Sequence, residues 1–136
     1  MPILEVQGLT RRFGGVVAVD NVDFAVDPGE ILDVAKRSQA LVVMAHPLTL
    51  GLDAGALDLE VARLVELGLT GLESYYSSYD ETIRAELVAL ARRHGVVPTG
   101  GSDYHGTFKP DLAVGLGTGD LDVPERALEE LAARRA

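Results

Sequence analysis

Cysteine is absent from this 136-residue chain, which excludes disulfides and any thiolate metal site. Histidine is scarce, with three in the whole sequence, so any imidazole chemistry must come from His46, His94 or His105. No apolar run approaches the roughly 20 residues that a bilayer-spanning helix needs. The first residues also lack the basic-then-apolar pattern of a signal peptide, so the expected location is cytoplasmic. Basic residues are outnumbered, 12 Lys and Arg against 21 Asp and Glu, and the net charge of −9 opposes generic attraction to nucleic acid or anionic membranes. Missing too is any Gly-x-x-x-x-Gly-Lys-Ser/Thr string, whose backbone N–H groups would cradle phosphates while its lysine reaches the outermost one, and ATP hydrolysis is excluded with it. What is present, 47% hydrophobic residues in a chain of this length, suffices for one buried core of an ordinary α/β kind.

The most informative segment is Gly100-Gly101-Ser102-Asp103-Tyr104-His105-Gly106, with Ala45-His46-Pro47 upstream. In extended backbone Asp103 and His105 leave the same face and Tyr104 the other, so one divalent ion can take both. The flanking glycines are expected to let the backbone turn sharply there. A hydrogen-bonded turn at Asp103-x-His105 and a packed strand-end His46 are the plainer alternatives.

Periodicity places these residues. Ile3–Val6 and Val16–Val26 have strand character, joined at Gly14-Gly15 and followed by a turn at Asp27-Pro28-Gly29, which makes a β-hairpin. Ile31, Val34 and Ala35 have helical spacing, and Leu41–Ala45 reads as a short buried parallel strand. Leu57, Val61, Leu64 and Val65 mark a helix that ends near Gly68, with Leu72-Glu73 in the next strand. Ser78 with Glu81 forms a candidate capping box for a helix whose Ile83, Leu87, Leu90 and Ala91 share a face and which Gly95 stops. Val96-Val97 leads into the Asp103 loop, Gly115–Gly119 reads as a loop, and Pro124 suits the first turn of a last helix carrying Leu128 and Leu131. The βαβαβ order implies parallel strands with chemistry at their C-terminal ends, where His46, Glu73 and Asp103 fall. Glu73 there either orients a ligand or substrate or is simply solvated. His94, in a last helical turn, is read as structural.

From Val42 to about Leu116 the chain resembles the polymerase and histidinol phosphatase (PHP) family of metal-dependent phosphoesterases. The resemblance lies in Val42-Val43-Met44-Ala45-His46-Pro47, Gly68–Glu73 with Tyr75-Tyr76, Ala91-Arg92-Arg93-His94-Gly95, Thr99–Gly106 and Lys109-Pro110. It implies the C-terminal portion of a distorted (β/α) barrel, in which His46, Asp103 and His105 are metal ligands and Asp103 and His105 act in catalysis. It further implies a manganese, zinc or iron cofactor, since imidazole and carboxylate donors do not choose among these. The substrates it implies are phosphorylated small molecules such as nucleoside bisphosphates, or short 5′-phosphorylated oligonucleotides. Lys109 either meets a substrate phosphate or is a solvated loop lysine.

Residues 1–31 resemble a different family. Leu4–Gly15, then Val17–Phe24 and Asp27-Pro28-Gly29-Glu30-Ile31, are similar to the opening hairpin of an ABC-transporter ATP-binding protein of the branched-chain amino-acid type, in which Phe13 would stack on adenine. Without a phosphate loop, a Leu-Ser-Gly-Gly run or a strand ending in the Asp-Glu pair, Phe13 is expected only to cover an apolar face. The expected division is an ABC-like hairpin at 1–31 and a truncated PHP-like domain at 32–136. The His-x-His strand end and other N-terminal ligands of the PHP pattern have no counterpart here. The expectation is therefore a weakly held metal and weak or absent phosphoesterase activity. An ATP-binding fragment and an inactive chimera are the alternatives. Self-association through uncovered strand edges is also expected.

Overall fold

A computed structural model describes residues 4–135. Leu4–Phe13 (β1) and Val16–Val26 (β2) form an antiparallel hairpin turning at Gly14-Gly15, with Leu4 opposite Val26 and Phe13 opposite Val16. The first strand is longer than expected and Ile3 lies outside the described residues. The segment Asp27-Pro28-Gly29, expected as a turn, opens helix α1 (Pro28–Arg37) instead. Proline is preset for the first helical position, and the Glu30 carboxylate accepts from the Asp27 N–H at 2.9 Å. The helix buries Leu32, while Ile31 and Val34, two of the residues whose spacing marks it, are exposed.

The core belongs to a mixed α/β unit with a three-stranded parallel sheet. Its order is Val43–Met44 (β3), Gly71–Tyr76 (β4) and Val97–Gly101 (β5). Helices α2 (Ala54–Leu67) and α3 (Glu81–Arg93) make the crossovers, and α4 (Arg126–Ala133) follows β5. Only Val43 and Met44 of the apolar run 41–45 pair as strand. Helix α2 starts at Asp53, whose Oδ1 accepts from the Ala56 N–H, and ends at Gly68 with φ +115°, a left-handed conformation that glycine adopts without cost. Helix α3 is capped by Asp80 rather than by the expected Ser78–Glu81 box, Asp80 Oδ1 accepting from the Ile83 N–H at 2.9 Å. Leu57, Val61, Leu72, Leu87, Leu90, Ala91 and Val96 form the buried cluster, matching the apolar faces read from α2 and α3. In α4 the buried residue is Ala127. Leu128 is exposed, and Pro124 lies ahead of the N-cap Glu125, its carbonyl accepting from the Ala127 N–H.

Two features of the sheet shape its C-terminal edge. The pairing of β4 with β5 shifts between Glu73 and Tyr75, a bulge that bends the strand and re-aims the side chains beyond it. The glycine pair Gly100-Gly101 lies inside β5, so it does not make the expected sharp turn. Instead a Cβ at Gly100 would stand 2.5 Å from the Tyr75 carbonyl oxygen, and one at Gly101 3.1 Å from Glu73 Oε1. These glycines permit close approach of strands and carboxylate.

Candidate active site at the strand ends

His46 follows β3 with left-handed backbone (φ +47°), and Asp103 follows β5 in the same conformation (φ +54°). Both turns bring side chains back over the C-terminal edge of the sheet, where crossover topology leaves a crevice. Between them, in β4, stands Glu73. It lies mid-strand rather than at a strand end, and it is buried rather than solvated. Because β3 stops at Met44, the Glu73 carboxylate reaches past it, Oε2 accepting from the His46 backbone N–H at 2.8 Å. His46 Nδ1 lies 3.0 Å from the same oxygen but out of line for a hydrogen bond, and it is a buried polar atom without one. The other ring nitrogen, Nε2, lies 3.6 Å from Asp103 Oδ1.

Asp103 is the hub. Its Oδ2 accepts from the Tyr76 hydroxyl at 2.9 Å and from the Lys109 ammonium, while Oδ1 lies 3.3 Å from His105 Nδ1. The Lys109 ammonium first, and the Tyr76 hydroxyl second, hold its carboxyl below the usual aspartate range. Asp103 in turn raises the Lys109 pKa, and Tyr76 is pushed up by burial and then by the neighbouring carboxylate. The Tyr76 ring meets His46 edge-on at 4.7 Å between centroids, so one tyrosine braces both a strand-end histidine and the aspartate.

The motif Asp103-Tyr104-His105 is not extended. With Asp103 left-handed and His105 near φ −128°, ψ 30°, the imidazole folds back and its Nδ1 lies 2.7 Å from the Asp103 carbonyl oxygen, where an Nδ1–H donates to it. A turn, rather than strand alternation, brings His105 to its aspartate, and His105 is largely exposed. His94 stands apart as expected: Nε2 lies 2.9 Å from Asp58 Oδ1 and ties the end of α3 to α2, and this contact lowers the Asp58 pKa.

Sequence reasoning assigned no role to Tyr76 or Arg84. Tyr76 occupies the last position of β4, a place at which its hydroxyl can reach the next strand end. Arg84 donates to the Tyr76 carbonyl at 3.2 Å and to Asp120 Oδ2 at 2.8 Å, pinning the end of β4 to the loop before α4. Its signal, a lone arginine in the first turn of a helix that follows a strand end, is too common to have singled it out. An apolar groove of about 290 Å³, lined by Pro28, Ile31, Leu32, Met44 and Leu64 among others, includes none of His46, Asp103 and His105.

Donor chemistry at the strand ends suits a borderline divalent ion, with two imidazoles and two carboxylates. Two donors held about 2.1 Å from one ion stand about 3.0 to 3.5 Å apart, and the contacts around Asp103 Oδ1 fall near that span. The arrangement nevertheless does not fit an ion as it stands. His46 turns its two nitrogens toward different carboxylates, and Lys109 takes the remaining Asp103 oxygen. Among the described residues no three His, Asp or Glu side chains are placed to hold a metal.

No protein-family profile matches the chain. Among curated proteins, a phosphoribosyl 1,2-cyclic phosphate 1,2-diphosphodiesterase of Eggerthella lenta is 38% identical over 95 residues, covering 70% of this chain and 34% of that protein. Among solved structures, one from Bifidobacterium adolescentis described as a metal-dependent phosphoesterase superposes with a TM-score of 0.61 at 26% identity, covering 83% of this chain and 38% of that one. The C-terminal part of this chain is phosphoesterase-like. Its N-terminal part resembles ABC ATP-binding proteins. A ribose import ATP-binding protein of Rubrobacter xylanophilus is 60% identical over 30 residues, covering 22% of this chain and 6% of that protein, and a glucose import ATP-binding protein of Haloferax volcanii is 28% identical over 153 aligned positions that run along 98% of this chain and 28% of that protein. The chain spans about a third or less of the length of each curated relative. Among the described residues no helix is long and apolar enough to cross a membrane.

Proposed function

We propose that residues 32–136 are a phosphoesterase-like domain, the C-terminal portion of a distorted (β/α) barrel of PHP type, and that residues 1–31 are a separate ABC-like hairpin. The cluster His46, Glu73, Asp103, His105 and Lys109 is its site for a phosphorylated small molecule or a short 5′-phosphorylated oligonucleotide. One observation carries this reading: parallel strands deliver two imidazoles, two carboxylates and an ammonium to one edge around Asp103.

The roles follow from exposure and charge. His105 and Lys109 are the exposed groups an incoming phosphate would meet, Lys109 by charge and the His105 ring by its second nitrogen. Asp103, nearly covered, holds the turn that presents those groups, and Glu73, buried, holds the His46 turn beside it. Glu73 does so through the His46 backbone N–H. A divalent ion, manganese, zinc or iron, belongs to this reading as an expected cofactor that is weakly held. Because no three donors are placed around one ion position among the described residues, turnover is slow or absent. Weakness also follows from histidine supply, since His94 is committed to Asp58. An ATP-binding role is the lesser reading, because the chain contains no phosphate loop.

The test is phosphate release from a nucleoside 3′,5′-bisphosphate in the presence of manganese. The expected outcome is a slow rate that Asp103→Asn removes. A rate that ignores Asp103→Asn contradicts the site, and brisk Asp103-dependent turnover contradicts the impaired-centre part of the reading.

A further inference from the structure

Behind the strand ends lies a second polar cluster, built around Arg84 in the first turn of α3. Its side chain is mostly covered, and its guanidinium reaches acceptors on two separate segments. Nε donates to the Tyr76 carbonyl at 3.2 Å and Nη2 to the Ser77 carbonyl at 3.4 Å, while Nη1 donates to the Asp120 carbonyl at 3.1 Å and Nη2 to Asp120 Oδ2 at 2.8 Å. A planar fork joins two segments in one fixed geometry, which the point charge of a lysine does not. Both joined segments lead to Asp103. On the strand side, the Tyr76 hydroxyl donates to Asp103 Oδ2 and the Ser77 hydroxyl donates to the Ser102 carbonyl at 3.3 Å. On the loop side, the Gly115 N–H donates to Ser102 Oγ at 3.3 Å, and Gly117 packs so closely on Ser77 that a Cβ there would overlap its hydroxyl.

We propose that Arg84 is a positioning residue for the strand-end cluster. It locks the end of β4 to the 115–120 loop, and the lock fixes the left-handed turn at Asp103 that presents His105 and Lys109 to a phosphoester. Left-handed backbone at a residue other than glycine persists only where its surroundings over-determine it, and Asp103, at φ +54°, stands two residues beyond the end of β5. The contacts through Tyr76 and Ser102 supply that constraint, and Arg84 is where they meet. Arg84 acts on Asp103 only through these neighbours. The inference rests on the proposed function of the cluster as a phosphoester site, and it needs no metal there. It also differs from a purely stabilising role. A stabilising arginine changes how much of the protein is folded, whereas a positioning one changes the site in molecules that remain folded.

The experiment is NMR on the full chain, comparing the parent with Arg84→Gln and with Arg92→Gln, a change on the same helix that breaks the Glu130 pair instead. Folding of each variant is checked by circular dichroism. Two signals are read: the nuclear Overhauser contact between the Tyr76 ring and the Asp103 β-protons, and the affinity for inorganic phosphate, followed on the amides of residues 105–109. Arg84→Gln is expected to lose the Tyr76–Asp103 contact and to bind phosphate about three-fold or more weakly, as groups coupled in one hydrogen-bond network do. Arg92→Gln is expected to change neither. A folded Arg84→Gln that keeps both signals overturns the proposal and leaves Arg84 a stabilising residue. Should Arg84→Gln fail to fold, Asp120→Ala, which removes an exposed partner of the same guanidinium, is judged on the same two signals, and no change in either overturns the proposal equally. If phosphate moves none of the 105–109 amides in the parent, the reading of the cluster as a phosphoester site falls, while the Tyr76–Asp103 contact still decides whether Arg84 positions Asp103.

Discussion

Asp103 shows how much one residue's surroundings decide. Its two oxygens are differently occupied, one by Tyr76 and Lys109 and one between two imidazoles. Both hydrogen-bond donors favour the charged carboxylate, so its native pKa is depressed below the unfolded aspartate value of about 3.9. A depressed carboxyl contributes stability above the unfolded pKa and loses it as pH falls through the native one. A carbon-detected NMR titration is therefore expected to place Asp103 below the ordinary range, and Tyr76→Phe to move it upward by removing one donor. An Asp103 that titrates at or above about 3.9 in the parent chain contradicts the contact network.

At the scale of the element, strand β5 explains why the motif ends where it does. Gly100 is required because a Cβ there would meet the Tyr75 backbone carbonyl, an atom that cannot swing aside. Gly100→Ala is accordingly expected to destabilise the domain by about 1 to 3 kcal/mol through overpacking against β4. Urea unfolding measures this, and a loss under about 0.5 kcal/mol, the range of neutral surface changes, removes the close-approach account. The glycines were legible as significant, but the sequence suggested turning where the structure shows contact between strands. The α2 and α3 faces were legible because Leu57, Val61, Leu87, Leu90 and Ala91 recur at helical spacing and bury in one cluster. The α1 face was not, since Leu32 buries while Ile31 and Val34 stay exposed. A short amphipathic run does not say which of two adjacent apolar stripes finds a partner. The positions of His46 and Asp103 after β3 and β5 were legible because the apolar runs before them read as parallel strands. The left-handed turns that aim them, and the tyrosine that braces them, depend on contacts 27 residues apart that no local pattern carries.

For the whole molecule, the two parts differ in how they cover apolar surface. The hairpin leaves Leu4, Phe13, Val16 and Phe24 exposed, and Val43 on the edge strand β3 is exposed as well. Uncovered apolar faces and open strand edges favour association. The expected result in size-exclusion chromatography with light scattering is a mass that rises with concentration, and a monomer at every concentration with a single cooperative melt runs against it. The proposed function puts cation binding at the strand-end cluster and not at the helix-end histidine. Three histidines allow a direct test. His94 precedes β5 and Asp103 follows it, a separation of about 15 Å for a strand of this length. In a histidine-labelled NMR spectrum, substoichiometric manganese is expected to broaden His46 and His105 first and to leave His94 sharp. Equal broadening of all three, or loss of His94 before the others, would contradict the account.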